Sequence, residues 1–153
     1  MLLLCALLLG VVAGLRSMLA PALASWFARN GVLAVTNTPL AFMGYPFTAI
    51  ILTVFAAGEL IADKLPKTPS RKAPPGFIAR IVTGALSGAT VGAAGHSLAA
   101  GLILGGIGAV AGTFGGAAAR AKLAAALGRD LPAALLEDVV GIAIAVLCLM
   151  EVK

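Results

Sequence analysis

The stretch Gly58-Glu-Leu-Ile-Ala-Asp-Lys-Leu-Pro-Lys-Thr-Pro-Ser-Arg71 closes an apolar run that begins at Phe47. Glu59 and Asp63 are four residues apart, so on a helix their carboxylates share one face. Bases and prolines follow them, and repeated prolines cannot continue a helix. The pattern predicts a membrane-spanning helix that carries acids near its inner end and is followed by basic residues in water.

The composition indicates that lipid surrounds much of the chain. The sequence is 61% hydrophobic and 11% charged, whereas a soluble domain is about half apolar and about a quarter charged. A helical span needs about 20 apolar residues, so the length allows about four to six spans. Low aromatic content and 19 glycines argue against a β-barrel with aromatic girdles. We predict an all-α polytopic membrane helix bundle that forms a single transmembrane domain over residues 1–153.

Prolines, glycines and charges divide the chain into five apolar segments. The first segment contains Arg16 and Pro21, so we expect an interruption within its helix. A cleaved signal peptide is the other interpretation of this segment, although the positively charged start is missing. Residues 29–44 are weakly apolar and predict a loop with a short interfacial or re-entrant piece. The expected spans are residues 2–27, 46–62, 77–95, 98–119 and 133–150, with a cytoplasmic loop at 63–76.

The positive charges predict an orientation. With five spans and a cytoplasmic N-terminus, the outer side carries only Arg29, His96 and Lys153. Such an asymmetry is what the positive-inside rule describes, so the net charge of +5 needs no nucleic-acid partner. A four-span arrangement, with the first or third segment lying flat, is the main alternative. In the five-span arrangement, the two inner connections carry the remaining bases of the loops and span ends: Lys64, Lys67, Arg71, Lys72, Arg80, Arg120, Lys122 and Arg129.

Glycines recur at four-residue spacing in the third and fourth segments. On a helix this spacing forms a ridge, and in lipid such ridges permit close helix–helix contact. We predict glycine-zipper packing of these two spans as a tight hairpin. Because that hairpin needs only one of the two ridges, we also predict a homo-oligomer, a dimer or larger. The packing residues are Gly84, Gly88, Gly92, Gly101, Gly105, Gly108, Gly112 and Gly116.

Six charged residues lie within or at the ends of the predicted spans. A charge near the middle of the bilayer costs about 2.5–3.5 kcal/mol on insertion scales, and usually faces a partner or a water-filled cavity. Arg16 is the deepest of them, and we predict that it pairs with Glu59. Arg120 is expected to pair with Glu137 or Asp138 at the start of the last span. The candidate site residues are Arg16, Glu59, Asp63, Arg120, Glu137 and Asp138.

These charges predict one of two functions. As a site, they would serve a small transporter or channel for a small solute or ion, with Asp63 at its inner mouth. As structural ion pairs, they would fix helix register in an assembly subunit that binds membrane lipids or a partner protein. We do not predict an enzyme, a cofactor or a metal site. His96 has no second histidine or cysteine at metal spacing, and the segment Gly106–Gly112 lacks the preceding strand of a dinucleotide-binding loop.

Three motifs together resemble a known family. They are Gly14-Leu-Arg16-Ser17 with Pro21, Glu59-Leu-Ile-Ala-Asp63-Lys64-Leu-Pro66 and Leu136-Glu137-Asp138. In this combination the chain is similar, over nearly its whole length, to a bacterial integral-membrane family catalogued as domain of unknown function 4126. The resemblance implies a compact helical protein of the bacterial inner membrane and implies no activity. It carries over Arg16, Glu59 and Asp63 as motif residues without a role.

Overall fold

The computed structural model describes residues 1–63 and 73–152, and these ranges are helical throughout most of their length. The predicted all-α fold class is therefore confirmed for the described residues. Among the described residues, three helices are long and apolar enough to cross a membrane, Pro74–Ala94, Leu98–Leu127 and Asp130–Met150, whereas Leu2–Leu15 and Pro46–Ala62 are shorter apolar helices. The elements are α1 (Leu2–Leu15), α2 (Leu19–Arg29), a 3-10 turn (Ala41–Gly44), α3 (Pro46–Ala62), α4 (Pro74–Ala94), α5 (Leu98–Leu127) and α6 (Asp130–Met150).

The first predicted span, residues 2–27, is two helices instead of one. α1 ends at Leu15, and Arg16 is extended, with φ −141° and ψ 110°. α2 then runs antiparallel to α3, because Ser17 bonds to Glu59 whereas Trp26 bonds to Thr53. The expected interruption at Arg16 is present, but the chain also reverses its direction there.

Helix directions show that this first segment enters the bundle and returns. α1 runs parallel to α5, since Gly10 lies against Gly105 and Gly14 lies against Thr113. Leu33 and Val35, which follow α2, belong to the same buried cluster as Cys5 near the start of α1. Residues 2–29 therefore form a helical hairpin whose tip is Arg16-Ser17-Met18.

Both ends of the chain lie at one end of the bundle. Leu2 reaches Gly95 in the turn between α4 and α5, and Met1 shares a cavity wall with Glu151 and Val152. The expected placement of the N-terminus and C-terminus on opposite faces is therefore wrong. Residues 2–29 thus begin and end at the same end of the bundle, whereas the expected single span over residues 2–27 would have crossed it.

The other boundaries follow the sequence closely. α3 begins and ends where we expected. α4 begins at Pro74 instead of residue 77, because proline is tolerated in the first helical turn. α5 continues beyond 119 to Leu127, and its 30 residues span about 45 Å, more than the about 30 Å of hydrocarbon. The predicted loop 63–76 falls mostly outside the described residues.

Helices α1, α4 and α5 pack closely on one another. A methyl group at Gly101 or Gly105 would overlap main-chain atoms of α4 at Gly88 and Gly84. A methyl group at Gly108 or Gly112 would overlap the main chain of α1 at Leu7 and Val11. Gly84, Gly88 and Gly92 are equally crowded against α5, and Gly116 is buried.

These contacts change the argument for an oligomer. We predicted one because the intrachain hairpin would leave part of the glycine surface unused. In the structure, α1 of the same chain covers the glycines Gly108 and Gly112 of α5 that do not contact α4. The homo-oligomer remains a prediction, but an unused glycine surface on α5 no longer supports it.

Candidate functional site

The reversal between α1 and α2 leaves helix ends inside the bundle. The last carbonyls of α1 and the first N–H groups of α2 have no intrahelical partners. In a bilayer core, every such group must be satisfied by the protein. Two side chains from other helices, Glu59 and Arg80, supply these partners.

Glu59 of α3 caps the start of α2. Its Oε1 accepts hydrogen bonds from the Ser17 N–H at 2.9 Å and the Ser17 Oγ at 2.8 Å. Its Oε2 accepts a hydrogen bond from the Met18 N–H at 2.9 Å. A carboxylate is favourable at this position because a helix N-terminus carries partial positive charge. Glu59 thus replaces the side-chain cap that α2 itself lacks.

Arg80 of α4 caps the end of α1. Its Nη1 donates hydrogen bonds to the carbonyl oxygens of Gly14 and Leu15, both at 2.8 Å. Its Nη2 lies 3.7 Å from Oε1 of Glu59, so the two caps are electrostatically linked. The Thr113 hydroxyl of α5 adds a longer contact of 3.4 Å to the Gly14 oxygen.

Arg16 lies at the tip of the hairpin and is only 1% exposed. Its Nε donates a hydrogen bond to Oδ1 of Asp138 in α6 at 2.6 Å, and its Nη1 binds Oδ2 of Asp63. Its Nη2 is buried and has no hydrogen-bond partner among the described residues. We call Arg16, Glu59, Asp63, Arg80 and Asp138 the hairpin-tip cluster. Two guanidinium groups and three carboxylates give it a formal net charge of −1.

The predicted Arg16–Glu59 pair is wrong. The extended backbone of Arg16 directs its guanidinium toward Asp63 and Asp138. Glu59 is engaged by the N–H groups of the next two residues and by Arg80. The depth of Arg16 in the sequence indicated correctly that it needs an acid, but depth alone does not select which one.

A second charged group lies farther along α5. Arg120 binds Asp130 through two hydrogen bonds of 2.9 and 2.6 Å. Its Nη1 also lies 3.5 Å from Oε2 of Glu137, so of the two partners expected for Arg120, Glu137 or Asp138, the structure has Glu137. Asp130 is the first residue of α6, and Arg129 precedes it as the N-cap.

Sequence reasoning missed Arg80 and Ser17 as members of the site. Arg80 lies inside the predicted span 77–95, and a base within a span requires partners, so its position was a usable indication. It was assigned instead to the basic connection before that span. Ser17 had no comparable indication, because its role depends on Glu59 arriving from another helix.

Comparisons of the chain with protein-family models, curated proteins and solved structures give no match. The site is therefore interpreted from its own geometry.

That geometry offers two kinds of chemistry. The start of α2 and the nearby Arg80 form a surface that binds negative charge, which Glu59 occupies. Asp63 and Asp138 hold two carboxylates on the Arg16 guanidinium, one from α3 and one from α6. The side chains of Glu59 and Asp63 are 14% and 13% exposed, so the cluster has contact with its surroundings on the α3 side.

Proposed function

We propose that the protein is a small integral membrane transporter or channel and that the hairpin-tip cluster is its site. The observation that carries this proposal is the gathering of five charged side chains at a helix break inside an apolar bundle. None of them is more than 14% exposed. Charged groups within a membrane are costly and tend to be functional. Transporters commonly place solute and ion sites at broken helices.

We further propose an orientation in a bacterial inner membrane. Arg120, Lys122 and Arg129 lie toward the far end of α5, and Asp63 and Ala73 flank the basic segment 64–72. The positive-inside rule places this end in the cytoplasm. Both termini and the turn at His96 then face the opposite side. In this arrangement the packed glycines of α4, α5 and α1 hold the bundle together as a glycine zipper in lipid.

The resemblance to the family of unknown function 4126 is part of this proposal. Three residues on which the resemblance rests, Arg16, Glu59 and Asp63, lie in the hairpin-tip cluster. Asp138, from the third motif, lies there as well. Motif residues that are distant in sequence and meet at one place are what a shared site would require.

Reporter fusions test the orientation. A reporter that is active only outside the cytoplasm should be active when fused to either terminus, because Met1 and Val152 lie at the same end of the bundle. A reporter inserted at Gly128, in the turn between α5 and α6, is the control and should be inactive. Activity at only one terminus would show that residues 2–29 cross the membrane instead of returning.

Flux through proteoliposomes tests the function. Glu59→Gln should abolish the flux of the transported proton or small ion while the protein stays folded. The change removes the charge at the start of α2 but keeps the side-chain shape. Glu151→Gln, the same change at an exposed acid beyond α6, is the matched control and should retain flux. Equal flux in the wild type and both variants would exclude Glu59 from the pathway.

A structural or assembly subunit is the second candidate function. The broken helix ends are satisfied by groups of the same chain, as a purely architectural network would be. α3 also presents an apolar face to its surroundings, with Phe47, Val54 and Ile61 all more than 60% exposed. Lipid, a partner protein or a second copy of the chain would cover this face. Absence of flux for every solute tested would favour this candidate.

A further inference from the structure

We propose that Cys5 of α1 and Cys148 of α6 form a dithiol pair that is oxidised to a disulfide joining the two helices. The inference goes beyond the proposed transport function and does not depend on it. It is carried by the register in which α1 packs against α6 and by a cavity that both cysteines line. Both thiols are free in this structure.

The register of α1 against α6 places the two cysteines opposite each other. Val12 of α1 faces Gly141 of α6, because a methyl group on that glycine would lie 3.9 Å from Cγ1 of Val12. Cys5 lies seven residues before Val12, and Cys148 lies seven residues after Gly141. Seven residues are about two helical turns, so each cysteine lies on the face that its helix turns toward the other.

This argument requires α1 and α6 to be antiparallel, and contacts at both ends of the pair show that they are. At one end, Arg16 directly after α1 binds Asp138 in the first half of α6. At the other end, Met1 and Val152 share a cavity wall. Residue numbers therefore rise along α1 as they fall along α6, and positions 5 and 148 meet.

The two cysteine side chains meet at the wall of that cavity. The cavity has a volume of about 340 Å³ and is lined mostly by apolar side chains of α1 and α6. The thiols of Cys5 and Cys148 are hydrogen-bonding neighbours there. Bond formation requires the two sulfurs to approach further, and the cavity leaves room for their side chains to rotate.

The two thiols differ in exposure, and this difference sets the order of the reaction. Cys5 is 2% exposed, whereas Cys148 is half-buried. An organic disulfide, RSSR, therefore reacts first with the Cys148 thiolate, which forms a mixed disulfide and releases one RSH. The Cys5 thiolate then attacks the Cys148 sulfur and releases the second RSH. The protein loses two hydrogen atoms and two S–H bonds, and the oxidant gains both hydrogens as two thiols.

The disulfide would fasten α1 to α6 at the end opposite the hairpin-tip cluster. The Arg16–Asp138 contact already links these elements at the cluster, so the oxidised protein would hold the pair at both ends. The proposed orientation places the chain ends outside the cytoplasm, where disulfides form and persist. Only the occurrence of the disulfide in the cell depends on that orientation.

Oxidation of the purified protein by dithiodipyridine, an organic disulfide, tests the pair. The protein is first reduced in detergent, freed of reductant and then given an excess of dithiodipyridine. We expect intact-protein mass spectrometry to show the loss of two hydrogen atoms and no pyridyl adduct, because Cys5 expels the reagent from Cys148. The same protein unfolded in dodecyl sulfate is the control and should carry two adducts, since the pairing depends on the packed helices.

Cys5→Ala is the matched variant. It keeps the half-buried thiol of Cys148 but removes the thiol that resolves the mixed disulfide. The folded variant should therefore keep one stable pyridyl adduct on each chain, and added reductant should remove it.

The remaining outcomes overturn the inference. Folded wild type that keeps pyridyl adducts would show that the thiols do not pair, and a disulfide between two chains on a non-reducing gel would assign them to another contact. If Cys5→Ala does not fold, the comparison of folded and unfolded wild type decides alone. These readouts involve no flux, so their failure would leave the proposed transport function standing, and an absence of flux would leave the dithiol pair standing.

Discussion

Arg16→Met is expected to lower the free energy of unfolding by about 3–5 kcal/mol, because removing one partner of a buried ion pair leaves the other charge uncompensated. Here two carboxylates, Asp63 and Asp138, would lose the guanidinium that lies between them. Arg16 is 1% exposed, so solvent cannot replace it. Denaturation of the purified protein in mixed detergent micelles would measure the loss.

Arg29→Met is the matched control for this change. Arg29 is exposed at the end of α2 and lies 5.2 Å from the ring centre of Trp26. Its loss should cost about 1 kcal/mol or less, the range of exposed cation–π contacts. Similar losses of unfolding free energy in both variants would show that the burial of Arg16 does not determine its contribution to stability.

A triple variant separates an architectural role from a functional one. Arg16→Met with Asp63→Leu and Asp138→Leu removes Arg16 and both of its carboxylate partners at once. Replacing a buried ion network by apolar residues is often near neutral for stability. A stable triple variant that has lost flux would assign these charges to function, whereas one that keeps all activity would assign them to architecture.

Gly105→Ala is expected to lower the free energy of unfolding by about 1–3 kcal/mol or more, the cost of overpacking a core. The new methyl group would overlap the main-chain carbonyl of Gly84 and lie 3.0 Å from the Cα of Gly88. Main-chain atoms of a packed helix cannot turn aside as a flexible side chain does. α4 and α5 would have to separate along their contact.

Gly106→Ala, one residue farther along α5, is the control. A methyl group there meets nothing within 4 Å. Alanine is a better helix former than glycine by about 0.8–1 kcal/mol in water, so this variant should be unchanged or slightly more stable. Denaturation of both variants side by side would test the pair. Equal losses at the two positions would mean that helix propensity, and not the approach of α4, determines the effect.

Local features of the sequence predicted much of the fold. Hydropathy and prolines placed α3 at residues 46–62 and located α4, α5 and α6 with shifts at their ends. The glycines at four-residue spacing lie where the main chains of α4 and α5 approach each other. These features are local because a helix and its apolar surface are set by neighbouring residues.

The reversal at Arg16 was not predictable in the same way. An arginine and a proline within an apolar segment indicate a break, but the direction of α2 depends on Glu59 and Arg80 from two other helices. The partners of the two acids in α6 are likewise set by how other helices pack against α6. Glu137 and Asp138 are adjacent, so they point about 100° apart around the helix, and one meets Arg120 whereas the other meets Arg16. The order of residues in the sequence does not show which of the two acids meets which arginine.

The distance along the chain between Arg16 and its partners has a consequence for biogenesis. Arg16 is synthesised early, but Asp63 and Asp138 follow 47 and 122 residues later. The early hairpin therefore cannot settle at its final depth while the chain is still growing, because a guanidinium without a counter-ion is costly in lipid. Asp63 supplies the first counter-ion and Asp138 of α6 the second, so a chain truncated before Asp130 should hold this hairpin less firmly than the full chain and be cleaved faster by added protease.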